Sequence, residues 1–214
     1  MLLWINGPFG GGKTQTAYEI RRRLPGSVVC DPEHAGFGLR RMLPPELRGN
    51  FQDLVSWRQG VVEVLDLALT RHDGVVIAPM TVTDSRYFAE TVGRLRELGH
   101  DVRHFTLLAE RETVVERLRE RGLGHLLPHL AGRRSGRNAG PRRESWALQQ
   151  LDHCLERLRE EEFAEHLWTD QSTVPKTADR IAVLAGLTLR PNTEGRLRTR
   201  LRQARVGVAH IRFD

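Results

Sequence analysis

Residues 2–20 read LLWINGPFGGGKTQTAYEI, and the middle of that stretch decides the fold. Gly7-Pro8-Phe9-Gly10-Gly11-Gly12-Lys13-Thr14 fits the phosphate-loop pattern, in which two fixed glycines are followed by Lys and Thr. An apolar run over 2–6 precedes it. Ala17, Ile20 and Leu24 follow at helical spacing, so the loop joins a buried strand to a helix. Glycine has no Cβ to stop backbone N–H groups curling around a phosphate, and the helix behind the loop adds its positive end. Lys13 would span the β- and γ-phosphates of ATP, and the Thr14 hydroxyl would reach Mg²⁺. Gly7, Gly10, Gly11, Gly12, Lys13, Thr14 and Gln15 are the expected nucleotide-binding residues. The competing reading is a glycine turn that merely opens an ordinary helix. Even when accepted, the motif names a phosphoryl donor and leaves the acceptor open.

Outward from the loop, the chain alternates. Pro25-Gly26 stops the first helix, and a strand over 27–30 leads to Asp31-Pro32-Glu33-His34. A helical piece is expected over 36–43, before Pro44-Pro45, and a longer helix over 57–71 with Val61, Val64, Leu65, Ala68 and Leu69 on one face. Residues 74–80, GVVIAPM, form a continuous apolar run of the kind a strand buried on both faces requires. A helix over 85–98, a strand over 102–108 and a helix over 112–121 continue the pattern. After a Gly- and Arg-rich break, a helix over 143–161, a strand over 166–169 and a helix over 175–185 complete it. Strand–helix alternation implies an α/β fold with a parallel sheet, here of five strands, between helical layers. The break, GLGHLLPHLAGRRSGRNAGP, reads as a mobile Arg-rich lid over about 122–143 of a domain spanning 1–189. A basic extension follows over 190–214.

Bulk properties narrow the function classes. A chain of 214 residues buries a core without disulfides, and Cys30 and Cys154 are too isolated for a disulfide framework or a zinc knuckle. No apolar run approaches the roughly 20 residues of a spanning helix, and the glycine loop interrupts the N-terminal apolar stretch, so a cytoplasmic protein is expected. The net charge of +6 is local. Residues 121–143 hold six arginines and no acid, and 190–214 hold seven against Glu194 and Asp214, which leaves the remainder acidic. That distribution argues against a general nucleic-acid surface. His125 and His129 have helical spacing but no third ligand, so surface histidines are expected there rather than zinc. In the tail, Leu197, Leu201, Ala204 and Val208 would make a narrow apolar stripe among arginines. It could dock on the protein's own body or make peripheral contact with an anionic membrane.

A kinase also needs a group that orients or deprotonates a hydroxyl, and Asp31 is the candidate. Ligands of open α/β sheets sit at the carboxyl ends of the strands, where a carboxylate can take a proton and hold a water of the Mg²⁺ shell. Asp31 followed by Pro32 and Glu33 is equally the signature of a helix cap. Charge on the moving phosphoryl group is expected to meet arginine: Arg117 and Arg121 share a helix face into the lid, and Arg142 and Arg143 stand at its exit. The third strand lacks the terminal acid of a motor-type ATPase, since Asp84 arrives only after Thr81-Val82-Thr83.

With these pieces in order, the chain resembles the nucleoside-monophosphate-kinase-like phosphate-loop proteins, among them shikimate kinase, gluconate kinase and chloramphenicol phosphotransferase. Within that branch INGPFGGGKT, VVCDPEHAGFGLRRML and VVIAPMTVTD are similar to the tunicamycin-resistance ATP-binding family, over about residues 1–187. The resemblance implies a P-loop NTPase fold and ATP- and Mg²⁺-dependent phosphorylation of a small hydroxyl compound. It implies Asp31 as the acceptor-side acid and magnesium partner, Lys13 and Thr14 as phosphate and magnesium ligands, and Arg121 as a phosphate-facing lid residue. Tunicamycin, a nucleoside-type antibiotic mimicking a UDP-amino sugar, or a UDP-sugar-like compound, is then the implied acceptor. Sequestration of the drug without chemistry is the alternative. A metabolic kinase is another, with Phe37, Arg40, Arg41, Phe51 and Trp57 as pocket walls or as plain core and surface.

Overall fold

The computed structural model describes residues 1–120 and 141–193. In chain order it contains β1 (Leu2–Asn6), α1 (Lys13–Arg23), β2 (Val28–Val29), α2 (Pro32–Met42), α3 (Val55–Arg71) and β3 (Val76–Pro79). Then come α4 (Ser85–Phe88), α5 (Arg94–Glu97), β4 (Val102–Leu108), α6 (Arg111–Glu120), α7 (Pro141–Leu158), β5 (His166–Trp168) and α8 (Val174–Leu184). The five strands form one parallel sheet in the order β2-β3-β1-β4-β5, so β1 lies at its centre with β3 and β4 beside it. Chain direction across the sheet reverses around β1, and the loop leaving β1 therefore opens into the crevice at the carboxyl edge.

Both faces of the sheet are covered, as its continuous apolar strands require. Leu3 and Ile5 of β1, with Ile77, Phe105, Leu107 and Leu167, meet Ala17 and Ile20 of α1 and Ala178 and Ile181 of α8. Leu2 and Trp4 point the other way, with Val76, Ala78 and Val102, onto Trp57, Val61 and Leu65 of α3 and onto Phe88, Val92 and Leu95. A smaller cluster of Val114, Val115 and Leu118 against Leu151 and Leu155 joins α6 to α7. The result is the expected three-layer α/β/α arrangement.

Two elements depart from the sequence expectation. The helix expected from residue 36 begins at Pro32, because Asp31 caps it and proline at the first helical position costs no hydrogen bond; β2 shortens accordingly to Val28–Val29. The single helix expected over 85–98 is split by a wide π turn, Ala89–Gly93. There the Thr91 hydroxyl donates to the Tyr87 carbonyl at 2.6 Å, and this bond competes with the ordinary ladder.

Beyond α8 the chain returns to α1. Leu187 and Leu189 pack against the α1–α8 face of the core, the Arg190 N–H donates to the Arg23 carbonyl at 2.9 Å, and Arg23 Nε donates to the Arg190 carbonyl at 2.7 Å. Residues 121–140, which hold Arg121, His125, His129 and most of the lid expected over about 122–143, lie outside the described residues, as does the apolar stripe of the tail. Among the described residues, no helix is long and apolar enough to cross a membrane.

Candidate phosphate-donor and acceptor site

The phosphate loop is built from the end of β1 outward. Asn6 is wholly buried, and its amide oxygen accepts the N–H groups of Gly7 at 2.8 Å and Val82 at 3.0 Å. Its amide nitrogen donates to the Val82 carbonyl at 2.8 Å, and the Thr81 hydroxyl donates to the Gly7 carbonyl at 2.8 Å. The loop thus leaves the sheet clamped to the segment that follows β3. Its curvature needs glycine. At Gly7, φ is +146° and a Cβ would stand 2.7 Å from the Leu107 carbonyl oxygen. At Gly11, whose N–H donates to the Pro8 carbonyl at 2.9 Å, a Cβ would stand 2.8 Å from that same oxygen. Gly10 and Gly12 also have positive φ.

Gly12 caps α1 in a left-handed conformation and has no side chain to offer, so no side-chain cap bond closes the first turn of the helix. Helix geometry leaves the opening N–H groups without intrahelical partners, and here they face the loop. Lys13 is buried, with Nζ donating to the Pro8 carbonyl at 3.0 Å and standing 5.5 Å from the Phe9 ring centroid. The ammonium therefore spans the loop. Half-buried Thr14 and buried Gln15 occupy the same first turn. A glycine cradle a Cβ would fill, a lysine across it and a hydroxyl at the helix start together fit a nucleotide phosphate with its magnesium ion.

Asp31 lies at the same carboxyl edge of the sheet, one residue past Cys30, whose N–H pairs with the Ile77 carbonyl at 2.9 Å. Its carboxylate accepts the Glu33 N–H at 3.0 Å, so the cap reading holds. Trp57, a candidate pocket wall, is instead wholly buried, its indole N–H donating to the Pro32 carbonyl at 3.0 Å. Phe51 stands between Phe37 and Trp57, with ring centroids 5.4 Å from each. These rings fasten α2 to α3, and Trp57 belongs to the core. Directly after Val82, which Asn6 clamps, a polar hollow of about 430 Å³ is lined by Thr83, Asp84, Ser85, Arg86, His153 and Arg157. Arg157 braces it by donating to the Thr83 carbonyl at 3.1 Å and to the Ser85 hydroxyl at 2.7 Å. Burial pushes the neighbouring Cys154 thiol up to about 11, against the opposing pull of the Lys13 charge. Burial likewise raises Cys30, so neither thiol is set up as a nucleophile.

On the other flank, Arg117 donates to the Thr169 hydroxyl at 3.0 Å and to the Thr169 carbonyl at 2.7 Å, which places its guanidinium at the end of β5. A second hollow of about 400 Å³ opens there, lined by Leu167, Trp168, Asp170, Gln171, Ser172, Thr177 and Arg180. Burial works to raise Asp170, but bonds from the Glu110 N–H, at 2.8 Å, and from Thr113 hold it below the usual carboxylate value. Arg121 lies outside the described residues, and Arg143 falls in the first turn of α7, where the backbone alone is described. Sequence reasoning missed Asn6, Thr81 and Gln52. Only Asn6 had a signal, as a polar residue closing an apolar strand. Among the described residues, no group of three or more potential metal ligands is gathered.

Residues 2–126 match the family described as AAA domain. Among solved structures, the chain is similar to the Deinococcus radiodurans tunicamycin resistance protein, at 30% identity over 89% of this chain and 98% of that one, with a TM-score of 0.69. It is also similar to shikimate kinase from Acinetobacter baumannii in complex with shikimate, at 18% identity, 86% and 93% coverage and TM-score 0.52. A third is the Mycobacterium tuberculosis APS kinase in complex with AMPPNP and APS, at 15% identity, 86% and 96% coverage and TM-score 0.56. These two kinases speak for the fold alone. No curated protein matches the sequence. The family match spans more than half of the chain and the Deinococcus structure is covered almost end to end: the chain belongs to the family described as AAA domain and, with the Deinococcus protein, to the tunicamycin-resistance family.

Proposed function

We propose that the protein transfers the γ-phosphoryl group of ATP to a hydroxyl of tunicamycin or a similar nucleoside-type compound, and so confers resistance. The observation that carries this is the glycine cradle spanned by Lys13, at the same sheet edge as Asp31, with a polar hollow lined by the residues that follow Val82, which Asn6 ties to the loop. Asp31 takes the hydroxyl proton as the acceptor oxygen bonds to the γ-phosphorus and the bond from that phosphorus to the ADP oxygen breaks. Lys13 and the loop N–H groups hold the donor phosphates in line, where their fixed charge needs no rearrangement as the group moves. Thr14, and Asp31 through a water, would hold a magnesium ion, which would supply charge to screen the donor phosphates. Arg117, Arg121 and Arg143 belong to the donor side, facing phosphate or adenine, with Arg117 at the end of β5. The 190–214 extension is a separate element, for which a peripheral membrane role is tested by vesicle flotation with and without it.

Incubating the protein with ATP, Mg²⁺ and tunicamycin tests the reading by mass spectrometry. A tunicamycin product heavier by one phosphate is expected. Recovery of tightly bound, unmodified drug would replace the kinase with sequestration, and no product from tunicamycin or a panel of nucleosides would overturn the acceptor assignment.

A further inference from the structure

We propose that Gln52 is a positioning residue that couples the acceptor-side helices to the phosphate loop; this rests on the donor reading above. Three segments far apart in sequence are joined here by side chains that end on loop backbone. Gln52 Nε2 donates to the Thr81 carbonyl at 2.9 Å, and the Thr81 hydroxyl donates to the Gly7 carbonyl at 2.8 Å. Asn6 then fixes Val82, the next residue, through both its N–H and its carbonyl. The carbonyls of Gly7 and Thr81 lie outside the strand ladders, so these bonds fix their direction. Thr81 is buried, which keeps water from replacing its bond to Gly7.

Gln52 is itself held rigidly. The Asn50 side chain accepts its N–H at 3.1 Å, and buried Arg58 donates to its carbonyl while pairing with Glu90 of the π turn. The same guanidinium stands 4.5 Å from the centroid of the Tyr87 ring, whose hydroxyl donates to Asp53 at 2.8 Å. On its other side, Phe51 lies so close over Gly36 that a methyl group there would overlap the ring. Gly36 belongs to α2, the helix that Asp31 caps. A shift of α2 is therefore passed to Phe51, then to its neighbour Gln52, to Thr81 and to the carbonyl of Gly7. Coupling of this kind is a free energy shared between two sites, and it runs in both directions.

Amide hydrogen exchange of the full chain with and without Mg·ADP tests it without needing the acceptor. In the wild type, Mg·ADP should slow exchange in residues 7–16 and also in residues 31–53. In Gln52→Ala and Thr81→Val the slowing over 7–16 should persist, while that over 31–53 falls by about three-fold or more; Thr81→Ser, which keeps the hydroxyl, should restore it. The Thr81→Val and Thr81→Ser pair preserves the test if Gln52→Ala fails to fold. A purely structural bond would lower the melting temperature and leave the ratio of the two responses unchanged, which overturns the proposal. So does a wild type whose 31–53 segment ignores Mg·ADP while 7–16 responds. No response over 7–16 would instead bring down the donor reading, and the proposal with it.

Discussion

Asp31 combines two roles that one substitution separates. Asparagine caps a helix about as well as aspartate but cannot take a proton, so Asp31→Asn should keep the start of α2 intact while removing the base. Phosphoryl transfer is expected to fall by roughly 10²–10⁴-fold, with ADP affinity by titration calorimetry within about two-fold of wild type. Unchanged transfer would leave the cap as the only role, because asparagine preserves it. Asp31→Ala should add about 1 kcal/mol of destabilisation from the lost bond to the Glu33 N–H. At Gly7 the expectation is harsher. A methyl group there meets the Leu107 carbonyl oxygen at 2.7 Å and forces a positive φ on an L side chain, so Gly7→Ala should lower the melting temperature and weaken ADP binding by about ten-fold or more.

At the scale of elements, the link between α2 and α3 combines the packed rings with one buried donor. Trp57→Phe keeps an aromatic ring in the core but removes the indole N–H that the Pro32 carbonyl accepts in addition to its own helical bond, which costs about 0.5–1.5 kcal/mol. Urea denaturation should show the lower midpoint at an unchanged slope; an unchanged midpoint would mean that the indole bond adds nothing to stability. The strand and helix periods of β1, β4 and α1 were legible because continuous apolar runs and i, i+3, i+4 spacings report burial directly. The start of α2 was not. Asp31-Pro32 fits a strand end and a helix cap alike, and the carboxylate's bond to the Glu33 N–H separates the two. The π turn was hidden for a different reason, since it depends on which way the Thr91 hydroxyl rotates.

Over the whole molecule, acid should act through His104. This side chain lies on β4 with Nδ1 3.0 Å from the Ala164 carbonyl and its ring centroid 4.8 Å from that of Phe88. Burial first, and then the nearby charges of Arg96 and His166, lower its pKa from 6.5 to about 4, against the bond to Ala164. The native state thus holds the ring neutral while the unfolded chain protonates it. Stability from this source is present above pH 6.5 and is lost as pH falls towards 4, by roughly 3 kcal/mol at most. Denaturation midpoints measured from pH 7 to 4 should fall across that window, and His104→Phe should flatten the decline. Such an effect cannot be read from the residue type, because it arises from what the neighbouring elements bring against the ring. The chain alone determined the donor half of the site, since phosphate curvature, lysine reach and strand-to-helix context are all local to residues 2–20. It also determined the parallel sheet, because alternating buried runs leave no other arrangement. Only the tertiary structure decided that Trp57 is core, that Arg117 turns to the end of β5, and that Asn6, Gln52 and Thr81 tie three distant segments together. Those are hydrogen bonds and contacts between residues up to 76 positions apart, and no spacing along the chain encodes them.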